Sequence, residues 1–122
     1  MKVFILSLLL LGALLLGIGA NFWYINRVAD RLKEEVDELP DLSAPDCAAE
    51  IGELLQYWEK QTDTVCLSVP YNIVDRVSEQ AELLLACADC GDRYGFYAAK
   101  ALLYDAISDM RRLESFSMGN LL

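Results

Sequence analysis

Histidine is missing from all 122 residues. Its absence excludes Ser-His-Asp and Cys-His nucleophilic sites, His-based metalloprotease motifs and every imidazole general base. Basic side chains are also scarce, with 10 Lys and Arg against 19 Asp and Glu and a formal charge of −9. From Glu34 to Asp63, Lys60 alone opposes Glu34, Glu35, Asp37, Glu38, Asp41, Asp46, Glu50, Glu53, Glu59 and Asp63. Such a surface repels nucleic acid, so no nucleic-acid partner is expected, and it would keep that segment off an anionic leaflet. Its ordinary reading is a solvated helix face; the sharper one is a basic protein partner or loosely held divalent cations. No glycine-rich phosphate loop is present, since Gly91 and Gly95 flank a helix junction with Arg93 between them. Asp105 and Asp109, four apart, read as solvated acids, while Arg111 and Arg112 read as charges suiting a helix C-terminus. Neither a catalytic residue nor a metal or cofactor site is expected, and the chain reads as non-enzymatic.

Charge is absent in a second way. From Val3 to Ala20 the only polar side chain is Ser7, and the run closes on Phe22, Trp23 and Tyr24. A helix crossing a bilayer needs about 20 mostly apolar residues, a length that Val3 to Ile25 supplies, and the aromatics suit the headgroup layer. The competing reading is a cleaved export signal, with Lys2 as the charged start and Ala20 before the cut. The run exceeds the usual signal core, and Phe22-Trp23-Tyr24 makes a better interface anchor than a mature terminus, so an uncleaved anchor is expected. Gly12, Gly17 and Gly19 lack the four-residue spacing of a helix-dimer motif. Arg27, Arg31 and Lys33 after the run would favour a cytoplasmic body by simple count, but a basic start followed at once by leucines resembles a signal-anchor. The reading is a single pass through the cell membrane with an extracytoplasmic C-terminal portion and the lipid bilayer as first partner.

The rest of the chain reads as helical. Ile25, Val28, Leu32, Val36 and Leu39 recur at intervals of three and four, so the span is expected to continue into a stalk. Pro40 and Pro45 mark a turn, and Ser43 with Asp46 fits a capping box. A helix follows with Cys47, Ile51, Leu54, Leu55, Trp58, Thr62 and Val65 on one face. Ser68 is read as the next cap, with Pro70 in the first turn, and Ile73, Val74, Val77, Ala81, Leu84, Leu85 and Ala88 form the next stripe. Gly91 ends that helix and Asp92 caps the last, whose face carries Phe96, Ala99, Leu103, Ala106, Ile107, Met110 and Leu113, extended by Phe116. The fold class is therefore all-α: an N-terminal transmembrane helix and stalk, then a small three-helix antiparallel bundle. Its segments are 1–25 (signal-anchor), 26–40 (stalk) and 43–122 (acidic bundle). Leu54, Trp58, Leu84, Phe96 and Leu103 are the expected core anchors. So small a core has marginal burial, a physical reason to expect self-association or a protein partner. The loose cluster of Tyr94, Tyr97 and Tyr104 is a mild sign of such an interface and equally suits amphipathic packing.

Four cysteines carry the remaining chemistry. Cys87 and Cys90 have the spacing of a thiol redox pair, but they close a helix, where a thiolate is not favoured. Zinc would need Cys47 and Cys66 at the same site, though about 28 Å of helix would separate them. The hairpin geometry instead brings Cys47 to the end that holds Cys87 and Cys90, so a Cys47 bridge to either is expected on an oxidising face; four small buried thiols is the plainer reading.

Tyr24-Ile25-Asn26, Leu54 to Trp58, Ile73-Val74-Asp75 and the closing Leu113 to Leu122 resemble an uncharacterised family of Gram-positive, often spore-forming, Clostridia-like bacteria, domain of unknown function 4363. The resemblance implies an envelope-associated helical protein with one span, and no activity or substrate. Relatives often carry His and acidic residues at the second turn, where this chain has Val69-Pro70-Tyr71-Asn72. The functional expectation is a membrane-anchored module for protein–protein interaction or scaffolding in the cell envelope. The alternatives are an envelope thiol–disulfide oxidoreductase using Cys87 and Cys90, and a small sensor or ligand-binding module.

Overall fold

Lys2 to Asp37 form one unbroken helix, α1, and the apolar pattern changes character halfway along it. The computed structural model describes the backbone of residues 1–121 and the side chains of residues 1–112. The faces read at Leu113 and Phe116, and the closing Leu113 to Leu122 of the family resemblance, lie outside the described side chains. After α1 come α2 (Cys47–Val65), α3 (Tyr71–Cys90) and α4 (Arg93–Leu121). Among the described residues there is no strand. The N-terminal part of α1 is long and apolar enough to cross a membrane, and none of its most apolar 18-residue window is buried by the rest of the protein.

The structure corrects the stalk. Ile25, Val28, Ala29, Leu32 and Val36 are buried, and α1 packs on both α2 and α4 while α3 packs on the same two helices. Four helices therefore close a ring around one core, and the C-terminal half of α1 is a full member of it. The physical reason is that a stripe at three- and four-residue spacing is costly to leave in water. Each of Ile25, Val28, Leu32 and Val36 contributes about 1.5–3 kcal/mol when buried. Cross-helix bonds give the directions. Arg111 Nη1 donates to Asp30 Oδ1 at 2.6 Å, Lys33 Nζ lies 5.1 Å over the Tyr104 ring, and Tyr97 reaches Asp41. Numbers thus rise on α1 as they fall on α4. The same holds for α1 and α2, where Tyr24 donates to Gln61 Oε1 and the Arg31 guanidinium lies 4.1 Å over the Tyr57 ring.

At the centre, Trp58, Phe96, Leu84 and Leu103 are fully buried and Leu54 almost so. The Trp58 indole N–H finds a partner inside the bundle, donating to Ser78 Oγ at 2.8 Å. An unmade bond there would leave a buried donor unsatisfied.

The ends of the helices depart from the expected caps. Asp46 precedes α2 without a side-chain cap bond, and Ser43 Oγ donates instead to Asp41 Oδ2 at 2.9 Å. Pro70 itself occupies the position before α3, so Ser68 is not a cap. Asp92 does cap α4, accepting from Gly95 N–H at 3.0 Å. Gly91 ends α3 at φ 72°, a left-handed conformation that suits glycine. Arg111 and Arg112 lie well inside α4, which runs on to Leu121, and they pair with Asp30 and Asp109 rather than with a helix end. Asp109 also receives Arg76 at 2.8 Å, so it is an ion-pair partner and not a solvated acid.

Gly95 is the tightest point of the α3–α4 corner. A Cβ there would fall 2.5 Å from Asp92 Oδ2 and 2.7 Å from Cys87 Sγ. Gly91→Ala is expected to cost about 1 kcal/mol through its backbone, and Gly95→Ala about 1–3 kcal/mol through overpacking. Unfolding midpoints of the full chain in detergent measure both, and a Gly95→Ala protein as stable as the parent would refute the tight corner.

Candidate functional site

Every helix of the ring buries its main apolar stripe, yet α4 carries a second line of large side chains outside the core. Tyr94, Tyr97, Ala101 and Tyr104 follow intervals of three, four and three, so they lie along one side of the helix, and all four are exposed. Beside them the last turn of α1 contributes Val36 and Asp37. Val36 and Asp37, with Tyr97, Lys100, Ala101, Tyr104 and Asp105, line an open groove of about 380 Å³ between α1 and α4, and Tyr94 continues the exposed side of α4 beyond it.

The groove is braced at its outer end. Tyr97 Oη donates to Asp41 Oδ1 at 2.5 Å, tying α4 to the loop after α1. Its ring meets Phe96 edge to face with centroids 5.3 Å apart, which limits the positions it can adopt. The Tyr97 hydrogen bond, then those of Ser43 and the Leu42 backbone, hold the Asp41 carboxyl below its ordinary range. The same bond to Asp41, followed by burial, pushes the Tyr97 phenol up. Chemically the groove offers phenol edges, one ammonium and two carboxylates along an apolar floor. That set can grip an amphipathic segment; among the described residues of the groove there is no base poised against a nucleophile.

A second, smaller notch of about 210 Å³ lies between α1 and α2, where Glu35, Glu38, Glu50 and Glu53 surround Leu39 and Leu54. Among the described residues no three His, Cys, Asp or Glu side chains gather as a metal site.

All four cysteines are free thiols, so the expected clamp from Cys47 to Cys87 or Cys90 is not formed. Cys47 is buried with its Sγ 3.7 Å from the Pro40 carbonyl oxygen. Burial, and then the charges of Asp46, Asp41 and Glu50, push its thiol up. Cys87 is buried against the α3–α4 corner, and there too burial comes first, followed by Asp92, in raising the thiol. Each sulfur is thus occupied by its own packing at the end of the bundle they share. A thiol held protonated at a helix C-terminus is a poor nucleophile, the opposite of what a redox pair needs. Cys66 is half-buried and Cys90 exposed.

The aromatic girdle divides. Trp23 is 61% exposed with the Arg27 guanidinium 5.1 Å over its ring, whereas Phe22 and Tyr24 are half-buried and Tyr24 is bonded to Gln61. Only Trp23 is therefore fully free to face a headgroup layer.

The loose tyrosine cluster was visible in the sequence, but its α1 wall was not, because Val36 and Asp37 belong to the segment read as a stalk. The link from Asp41 to Tyr97 spans 56 positions and leaves no local signal. No protein-family model, curated protein or solved structure matches the chain. The resemblance to the envelope family therefore lends the groove no argument, which stands on its geometry alone.

Two measurements probe this site. Tyr97→Phe should raise the Asp41 carboxyl toward its ordinary value in an NMR titration; an unchanged Asp41 would contradict the bond. Because the folded Asp41 value is lowered, the stability it adds is present at neutral pH and lost as pH falls through that lowered range. The Tyr97 share, with its raised value, is intact below the ordinary phenol range and lost as pH rises through the raised one. Pulsed alkylation read by mass spectrometry should modify Cys90 first and Cys66 next, with Cys47 and Cys87 reacting only on unfolding; early modification of Cys87 would contradict the packing described.

Proposed function

We propose that the protein is a membrane-anchored, non-enzymatic docking module: α1 tethers it to the cell membrane by a single pass, and the α1–α4 groove receives an amphipathic helix of another envelope protein. The observation that carries this reading is the exposed Tyr94, Tyr97, Ala101, Tyr104 line on a helix whose opposite face is already buried. Tyrosine suits such a role, since it offers a large apolar ring with a polar tip and few torsions to immobilise. Intervals of three and four match the spacing by which one helix reads another. The acidic flanks, Asp37 and Asp105, favour a partner helix with basic residues beside its apolar stripe.

In this reading the bundle lies on the extracytoplasmic side, where a basic start followed by leucines would leave it. The thiol alternative is less favoured because burial and neighbouring acids keep Cys87 protonated. A general sensor role has no observation that selects it over docking.

The test is site-specific photo-crosslinking in the native envelope, with the reactive side chain at position 97 or 101, and at Glu82 on the exposed side of α3 as the control. A stoichiometric adduct from the groove alone is expected. Ala101→Arg should weaken it by about 2 kcal/mol, roughly thirty-fold in Kd. Equal adducts from Glu82, or none from the groove, would overturn the assignment.

A further inference from the structure

We propose that the turn between α2 and α3 is a second membrane contact, in which Leu67 and Tyr71 insert into the lipid interface beside the exit of α1. This inference rests on the single-pass reading of α1 and goes beyond it. An ordinary stalked domain would be held clear of the lipid; here the span and the bundle share one helix, and the levels along that helix decide what the lipid meets.

The apolar 18-residue window of α1 covers about 27 Å at 1.5 Å per residue, close to the roughly 30 Å of a hydrocarbon core. A span of that depth reaches from Val3 to about Phe22. Tyr24, just past it, donates to Gln61 on α2. From Gln61, α2 runs on to Val65 in the direction of the α1 N-terminus, adding about 6 Å. The turn therefore comes level with about Ala20, inside the last turns of the span.

The side chains at that level fit the location. Val65 and Val69 are buried and pin the turn to the bundle, while Leu67 is 84% and Tyr71 72% exposed. An exposed leucine beside an exposed tyrosine, within about one helical turn of Trp23, is the composition of an interfacial anchor: an apolar residue for the acyl boundary and a ring with a hydroxyl for the headgroups. The acids Asp63 and Asp75 line a shallow groove together with Leu67 and Tyr71 and would oppose an anionic surface. Contact is thus driven by apolar insertion, and zwitterionic lipid suffices.

The full chain is reconstituted in phosphatidylcholine vesicles, some carrying nitroxide-labelled acyl chains as quenchers. An environment-sensitive fluorophore is placed at position 67 or position 10 (Leu67→Cys or Leu10→Cys, each with Cys66→Ser and Cys90→Ser), or on native Cys90 at the far end of α3 in a Cys66→Ser chain. Buried Cys47 and Cys87 stay unlabelled. The labels at 10 and 67 should lose most of their emission to the quencher and the label at 90 almost none. Quenching at 10 without quenching at 67 overturns the turn contact and leaves the anchor intact. A label at 10 that escapes quenching overturns the anchor and this inference with it. Equal quenching at 67 and 90 also overturns it, since the bundle would then not stand with its turn toward the lipid.

Discussion

The structure depends on the continuity of α1 through the point where its surroundings change. From Val3 to Leu16 the helix is apolar nearly all round and leaves its large side chains uncovered. From Ile25 onward only the stripe Ile25, Val28, Leu32 and Val36 is apolar, and it is sealed against α2 and α4. One unbroken helix can carry both surfaces because backbone hydrogen bonding within a helix is self-contained whatever surrounds it. Without the buried half of α1, the remaining helices would leave Ile51, Trp58, Leu103 and Ile107 short of a fourth wall.

That arrangement also organises the surface. Using the inner stripe of α1 to close the ring leaves its last turn, Val36 and Asp37, as one bank of the groove whose other bank is the tyrosine line of α4. The loop after α1 then reaches across to Tyr97 through Asp41. The groove thus depends on where α1 ends, since Val36 and Asp37 are its contribution to the lining. The opposite end of the ring is governed by the same rod, since every residue packed on α1 takes its level from that helix.

The cysteines show how packing overrides a local pattern. Cys47 opens α2 and the Cys87–Cys90 pair closes α3. Proximity of helix ends is a weaker condition than bridge geometry, and each sulfur is taken up by its own surroundings, Pro40 for Cys47 and the Asp92–Gly95 corner for Cys87. The same corner explains why glycine occupies position 95: the cap supplied by Asp92 and the buried thiol leave no room for a methyl group.

Periodicity alone marked most of the buried positions among the described side chains, though Thr62, Leu85 and Ala88 are only half-buried and Cys87 joins the core outside its stripe. The stripes of α2, α3 and α4, the breaks at Pro40, Pro70 and Gly91, and the apolar leader all follow from spacing and backbone chemistry, which are local. So does the cap at Asp92. What the stripe on residues 25–36 packs against was not local. A stalk and a bundle helix share the same three- and four-residue spacing, and only the tertiary structure decides between water and a neighbouring helix. The caps at Ser43 and Ser68 failed for a related reason: Ser43 lies three residues before Asp46, which takes the place before α2, and Pro70 took the place before α3. The groove, the Asp41–Tyr97 tie and the height of the α2–α3 turn exist only after the ring closes, because each joins segments that are distant in sequence and close in space.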